Sequence, residues 1–425
     1  MEKSQSERFR HLIEARLTAL QDEDRLGADA QATVQLDQQS VGRLTEELKS
    51  RVENLRGRMK AEGYDALIIY SDEYRSGHST YVTDYKPINV IEESPQLVLL
   101  VGDNEPVVFL GRLNAYAARD MCWIDDVRGI HRPYSDFPQV FEPIVGRASR
   151  IGLIGKNILP FEIYEQLKDA VPEAEIENRD DIMLDLRKIK SPAEIDLMEQ
   201  AAEINDAVLK EAAKGIKVGM TEIQVAGFAE NIARKMNAHI GSATVVMSGP
   251  NTNYPAWWAT DRQIQPGDYV MLDFNPAVGH YCNDGGITIL MPGADPEQER
   301  ALVVGHQALK KVIPTIRPGI TARSIFDTLL EELEPHGFAD NFTPYAKGLR
   351  GVGHAVGIDV VEPPNLSSDS DFELEAGMTL AVKLDLHDLP GGGYRIEVVV
   401  AVTEDGVRPL NKLVLAEPDD FAVQR

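Results

Sequence analysis

The sequence is poor in cysteine, in long apolar runs and in positive charge. Its 425 residues hold two cysteines, Cys122 and Cys282, too few for a disulfide framework and without a CxxC pair that would point to zinc or thiol redox chemistry. No stretch approaches the roughly 18 consecutive apolar residues of a membrane-spanning helix. The opening residues, MEKSQSERFRHLIEARL, lack the apolar core of a secretory signal, so the expected location is the cytoplasm. Lysine and arginine number 43 against 68 aspartates and glutamates, a net charge of -25. A field of that sign repels nucleic-acid phosphates and anionic membranes, and neither is an expected partner. Metals, amines and zwitterions remain open as ligands. What is present is ordinary for a globular chain: 43% hydrophobic and 26% charged residues exclude a disordered one. The length suits two or three domains of roughly 100–200 residues.

Residues 1–44 read as a polar arm with a short helical pattern at Phe9, Ile13 and Leu17. Leu44, Leu48, Val52, Leu55 and Met59 then recur at three- and four-residue spacing, which predicts a helix ended by Gly63. Buried-strand patterns at 66–70, 97–101, 107–110 and 151–154, with a helical stretch at 161–170, predict an α/β domain over residues 45–185. Ser191-Pro192 followed by Glu194 is a helix start and opens a second domain, 186–425. There the order of elements repeats. A helix, Val218-Gly-Met-Thr221, a helix and a hairpin (269–290) are followed by a helix, Pro318-Gly-Ile-Thr321, a helix and a hairpin (379–402). Thr221 with Gln224 fits a capping box, and Thr321 is the candidate cap of the later helix. The repetition predicts two related α+β halves.

The hairpins carry the chemistry. Tyr269–Asn275 alternates, so Met271, Asp273 and Asn275 share a face. A turn centred on Val278-Gly279 places Asp273 opposite Asp284. Like charges directly opposed destabilise a sheet, so either a positive group lies between them, one is protonated, or the register slips and both are solvated. In the second hairpin Lys383 and Glu397 are equidistant from Pro390, and a turn within 387–393 brings them face to face. Between the hairpins, glycines flank His354 in Gly351-Val-Gly-His-Ala-Val-Gly357 and allow close backbone approach. Asp273, Asp284, His354 and Glu397 form a carboxylate and imidazole set that suits manganese, iron, cobalt or zinc. Tyr254, Trp257 and Trp258 form an aromatic cluster, either a cation-binding surface or ordinary packing. His280 and Cys282 lie beside Asp284, and His280 is an acid or base only if it faces the pocket.

At these residues the chain resembles the superfamily of methionine aminopeptidases, prolidases and creatinases. The landmarks are LRKIKSPAEIDLM, the GMTE helix start, SGPN at 248–251, PGDYVMLDF at 266–274, GHAVG at 353–357, GMTL at 377–380 and YRIEVVVAVTEDG at 394–406. The resemblance spans about 186–415 and implies a pseudo-twofold pita-bread catalytic domain of α+β type. The preceding α/β domain resembles the prolidase, aminopeptidase P and creatinase branch. That branch implies a homodimer whose N-terminal domain lines the partner's site, within reach of His78, Tyr81 and Arg112. The family's metallopeptidases hold two divalent metals with two aspartates, a histidine and two glutamates. Asp273, Asp284, His354 and Glu397 occupy four of those positions, and the fifth is Lys383. Histidines implied after SGPN and before Glu362-Pro363 are replaced by Ala256 and Val361. The creatinase-like GGYR run at 392–395 adds Arg395 to Tyr254, Trp257 and Trp258 as candidate substrate-binding residues.

Exchanging one carboxylate for an ammonium raises the site's charge by two units, the charge of one metal ion. The expected site therefore holds at most one divalent metal (manganese, iron, cobalt or zinc), or none. Its ligands are Asp273, Asp284, His354 and Glu397, with Glu397, His354 and Lys383 as catalytic groups. The expected activity is hydrolysis of a C–N bond, of amide, cyclic amidine or ureido type, in a small polar nitrogen compound. The alternatives are an Xaa-Pro-type aminopeptidase or dipeptidase using one metal, a C–S lyase of the dimethylsulfoniopropionate type, and a non-catalytic binding protein.

Overall fold

A computed structural model describes residues 38–88, 94–131, 134–342 and 351–416; the arm pattern at Phe9, Ile13 and Leu17 lies outside them. The chain divides into two compact units between Arg187 and Lys188.

In the first unit, helix α1 (Gln38–Ala61) buries the periodic stripe Leu48, Val52, Leu55 and Met59. Gly63, at φ 74°, turns the chain out of it. A six-stranded mixed sheet follows, built from β1 (Ala66–Ser71), β2 (Gln96–Val101), β3 (Val107–Gly111), β4 (Asp126–Ile130), β5 (Arg150–Ile154) and β6 (Glu175–Asn178). Its order is β4-β3-β2-β1-β5-β6. Central β1 is buried at every position, as a strand covered on both faces must be. The apolar-run reading found the four inner strands and missed β4 and β6. These two are the sheet edges, where Asp-Val-Arg-Gly-Ile and Glu-Ile-Glu-Asn supply the charges that discourage pairing with another chain. Helices α2 (Gly77–Thr83), α3 (Arg112–Met121), α4 (Phe137–Val145), α5 (Phe161–Ala170) and α6 (Asp180–Lys188) complete the unit.

The second unit opens on the predicted capping box. Ser191 Oγ accepts from Glu194 N, and Ser191 N donates back to the Glu194 carboxylate, starting α7 (Pro192–Gly215). Thr221 and Gln224 repeat the device at α8 (Glu222–Lys235). The later copy has α9 (Pro296–Val312) and α10 (Arg323–Leu333). Here the reading of Thr321 needs correction, because α10 follows Ala322 with no side-chain cap. Thr321 instead forms an antiparallel bridge with Glu373, matching the one between Thr221 and Gln263. The strands are β7 (His239–Ile240), β8 (Val245–Ser248), β9 (Tyr269–Phe274), β10 (Pro276–Val278), β11 (Tyr281–Cys282), β12 (Gly285–Leu290), β13 (Gly351–Ala355), β14 (Glu362–Ser367), β15 (Thr379–Leu389), β16 (Gly392–Val402) and β17 (Val407–Pro409). The main sheet runs β14-β13-β15-β16-β12-β9-β8, with β17 beside β16. Alternate residues such as Leu272, Ile287, Val382 and Val398 join Val208, Leu309 and Leu329 of the helices in one core. Helices therefore cover one sheet face, and the intervening residues of these strands point to the other.

Candidate active site

On that other face, four residues form a row across four strands. Lys383 pairs with Glu397, Glu397 with Gly286, and Gly286 with Asp273. Gly286 contributes no side chain, so the space between Asp273 and Glu397 stays open. The second hairpin has the register read from the sequence, but the first does not, since Asp273 lies opposite Gly286 rather than Asp284. The turn is Gly279-His280, with φ of 52° and 71°, and Val278 pairs with Tyr281 across it. Positive φ at both central residues is what a two-residue type I′ turn requires. Moving the turn centre by one residue moves the partner by two. His280 is thereby used as a turn residue, and the Cys282 thiol lies 3.3 Å from the Ile358 carbonyl.

Asp273 and Asp284 are nonetheless neighbours, and a donor does sit between them. Asn275 Nδ2 donates to Asp273 Oδ1 (3.2 Å) and to Asp284 Oδ1 (2.5 Å). Arg395 Nη1 supplies the positive charge, 3.2 Å from Asp273 Oδ2. Burial, then the Asp284 charge, push Asp273 up to about 6, although Arg395 and Lys383 oppose them. Burial also acts upward on Asp284, but the hydrogen bond and charge of His354 outweigh it and hold that carboxyl below its ordinary range. Burial and the Asp284 charge push Glu397 well above the usual carboxylate range. For Lys383, burial disfavours the ammonium, yet Glu397, Asp385 and Asp284 more than compensate and raise its pKa.

Among the described residues, one group of possible ligands converges. Atoms of Asp284, His354 and Glu397 lie within 4.8 Å of one another. His354 Nδ1 is 3.0 Å from the Ala355 carbonyl, which can only accept, so that nitrogen carries a proton. Nε2 then faces Asp284 Oδ2 at 3.2 Å and Glu397 Oε1 at 3.9 Å. A carbonyl fixing one ring nitrogen while the other meets carboxylates is the usual setting of a ligating histidine. Glu397 Oε1 is buried with no hydrogen-bond partner among the described residues, an acceptor that a cation would satisfy. These three residues fit one divalent ion. Asp273, the fourth ligand read from the sequence, falls outside the converging group and is engaged by Arg395 and Asn275.

The aromatic candidates stand on the segment after Ser248-Gly-Pro-Asn251 and are exposed: Tyr254 by 54%, Trp257 by 59% and Trp258 by 67%. The backbone beneath them is fixed. Arg395 Nη2 donates to the Pro255 carbonyl at 2.6 Å, and Asp388 N to Asn253 Oδ1 at 2.8 Å. In the first unit, Tyr81 is buried beneath the Arg51 guanidinium, His78 Nδ1 lies 3.0 Å from Arg187 Nη1, and Arg112 is exposed.

Sequence reasoning missed two supports of this site. The first is Glu222 of the GMTE run, which is fully buried. Its carboxylate accepts from Ser248 N and Oγ and from Asn251 Nδ2 at one end of the aromatic segment, and from Thr260 N and Oγ1 at the other. We expect Glu222→Ala, which strands five donors, to cost about 3–5 kcal/mol in urea unfolding. The second is a cluster of buried amides. Asn205 Nδ2 donates to the carbonyls of Phe274 and Gly285, the residues after Asp273 and Asp284. Asn411 donates to Asn205 and Asn283 and accepts from Val399 N. The network ties the strands bearing Asp273 and Glu397 to the short segment bearing Asp284. Only the position of Asn283 beside Asp284 hinted at it.

Residues 196–404 match metallopeptidase family M24, and residues 51–189 match the creatinase/prolidase N-terminal domain. The Xaa-Pro dipeptidase of Pyrococcus horikoshii is 30% identical over 259 residues, covering 60% of this chain and 72% of that protein. The chain belongs to metallopeptidase family M24. The Xaa-Pro dipeptidase of Pyrococcus furiosus is 28% identical over 358 residues, 83% of this chain and 98% of the relative. Among solved structures, a prolidase from Pyrococcus horikoshii OT3 superposes with a TM-score of 0.74 at 26% identity, covering 85% of this chain and 98% of its own. An X-Pro aminopeptidase from Thermotoga maritima shares the fold at a TM-score of 0.76 and 23% identity, over 85% of this chain and 97% of its own. The architecture is thus a creatinase-type α/β domain followed by an M24 pita-bread domain, and the protein is a hydrolase. Divalent metals are the cofactors of M24 metallopeptidases, and the Asp284, His354 and Glu397 group is compatible with one. Among the described residues no helix is long and apolar enough to cross a membrane.

Proposed function

We propose that this M24 hydrolase cleaves the C–N bond of Xaa-Pro-type substrates, as an aminopeptidase or dipeptidase, with one divalent metal per chain. The carrying observation is that Lys383 faces Glu397 in the ladder while the converging ligands number three. The activities named for the Pyrococcus relatives support the substrate type. Asp284, His354 and Glu397 would hold the ion, which when bound supplies Lewis acidity toward the scissile group. Glu397, beside that ion, can take a proton from the attacking water at a carboxylate oxygen and pass it to the departing amine. The Lys383 ammonium, whose charge the nearby Glu397, Asp385 and Asp284 carboxylates favour, stabilises negative charge developing on the scissile group's oxygen. Tyr254, Trp257 and Trp258 would present an apolar surface to the substrate's side chain. Domain limits of 45–185 and 186–425, a homodimer and a cytoplasmic location belong to the same proposal.

A second reading is favoured by Ala256 and Val361, both exposed where the resemblance implies histidines. It is hydrolysis of a non-peptide amide, cyclic amidine or ureido bond. One experiment separates the two. Protein purified without chelator is assayed for metal, then incubated with manganese or cobalt and Ala-Pro, Ala-Pro-amide, cyclic amidines and ureido compounds. Close to one ion per chain and cleavage of a prolyl substrate is the expected result. Two tightly bound ions per chain would overturn the one-metal proposal. Turnover confined to the non-peptides would replace the first reading with the second, and ligand stabilisation without any product would point to a binding protein.

A further inference from the structure

The second hairpin carries two charge pairs in neighbouring rows of one face, Lys383 opposite Glu397 and Asp385 opposite Arg395. Signs alternate both along each strand and across the ladder, so like charges meet only on the diagonals. The four form a neutral square. Next to it stand Asp273 and Asp284, whose two negative charges one divalent ion balances.

Within the square Arg395 is thoroughly engaged. Its Nε donates to Asp385 Oδ1 at 2.5 Å and its Nη2 to Asp385 Oδ2 at 3.4 Å and to the Pro255 carbonyl at 2.6 Å. Its Nη1 donates to Asp273 Oδ2 at 3.2 Å. The residue is 3% exposed and Asp385 7%. A guanidinium fork is the side chain best shaped to grip a carboxylate with two parallel bonds, and here a carboxylate of the same chain already fills it. A substrate carboxylate reaching this point would have to displace Asp385 and bring another negative charge against Asp273 and Asp284. A neutral group would meet neither cost.

We propose that Asp385 is a specificity-determining residue that masks Arg395, so that the site takes substrates whose end nearest Arg395 is neutral, an amide or extended peptide, rather than a free carboxylate. This rests on the hydrolase reading above and, within it, selects blocked prolyl substrates over dipeptides. Asp385 acts through Arg395 and need not touch the reacting atoms.

The test compares wild type with Asp385→Asn, Asp385→Ser and Asp385→Glu, each manganese-loaded and checked for folding by circular dichroism. Binding of L-proline and L-prolinamide is measured by calorimetry, and cleavage of Ala-Pro and Ala-Pro-amide is followed alongside. Wild type is expected to prefer the amide at least tenfold. Asp385→Asn should shift the acid-to-amide ratio at least tenfold toward the acid, chiefly through acid Kd and KM, while Asp385→Glu keeps the wild-type preference. Should Asp385→Asn fail to fold, Asp385→Ser is read in the same way. A folded unmasked variant with no gain in proline affinity overturns the masking, as does a wild type that binds proline as tightly as prolinamide. Gained proline binding without cleavage of either substrate by any form would sustain the masking and defeat the prolyl hydrolase reading alone.

Discussion

A Lys383→Glu protein is expected to take up a second divalent ion per chain and to lose the native activity by roughly 100-fold or more, the scale seen when one preorganised charge-stabilising group is removed. The substitution changes the charge of a buried cluster by two units, and the new carboxylate faces Glu397 across the ladder. Asp273 and Asp284 already share Asn275 and repel each other. Without added metal the variant therefore carries a further unpaired buried charge, which costs about 3–5 kcal/mol. Saturating manganese should recover most of that loss, because binding to the folded state alone stabilises it. Metal content by elemental analysis and thermal melts with and without manganese measure both effects. Unchanged stoichiometry would mean that Lys383 does not take the place of a cation.

Gly353→Ala should be the most damaging single methyl group in the catalytic unit. Gly353 has φ 143°, and a Cβ there would lie 1.9 Å from the Ala381 carbonyl oxygen. That atom is backbone, in the strand paired with β13, so nothing flexible can yield. A cost above about 4 kcal/mol is expected, in the range reserved for backbone clashes in a core. The neighbouring His354 would move with the strand, so cobalt binding should weaken even in any fraction that folds. Gly351→Ala is the control: its Cβ would stand 3.7 Å from the Leu366 carbonyl oxygen, and it should cost no more than about 1 kcal/mol. Urea unfolding with near-ultraviolet circular dichroism compares them. A Gly353→Ala protein as stable as the control would refute the steric argument.

Much of this architecture was legible because local rules and global fold agree. The capping boxes at Ser191 and Thr221, the buried strands at 66–71 and 96–101 and the symmetric second hairpin all follow from residue spacing. The second hairpin was read correctly although it is irregular. A register shift between Leu386 and Leu389 offsets the Pro390-Gly391 turn, so Lys383 and Glu397 remain equidistant from Pro390. The first hairpin misled for the opposite reason. Its turn falls on Gly279-His280, whose second residue is not the glycine, asparagine or aspartate that marks such a turn in a sequence, and Gly279 was paired with the wrong neighbour. Arg395 sat in a quoted motif and Asp385 only within the span of the second hairpin, and their bond depends on register and was not read. Glu222 and the three asparagines were invisible because their partners are distant in sequence. Glu222 meets Thr260 across 38 residues and Asn411 meets Asn205 across 206.

That last separation bears on the order of folding. The amide of Asn411 lies between strands whose own pairings are far more local, and it joins helix α7 to the backbone at Val399 and to Asn283. Contacts this far apart in sequence carry the largest loop-closure entropy and form late. The hairpin ladders can assemble during synthesis, whereas the spacing of Asp284 and Glu397 waits for residue 411 to arrive. Metal capture is therefore an event of the completed catalytic unit rather than a nucleus that guides it, and a chelator present during refolding should leave the rate of sheet formation unchanged.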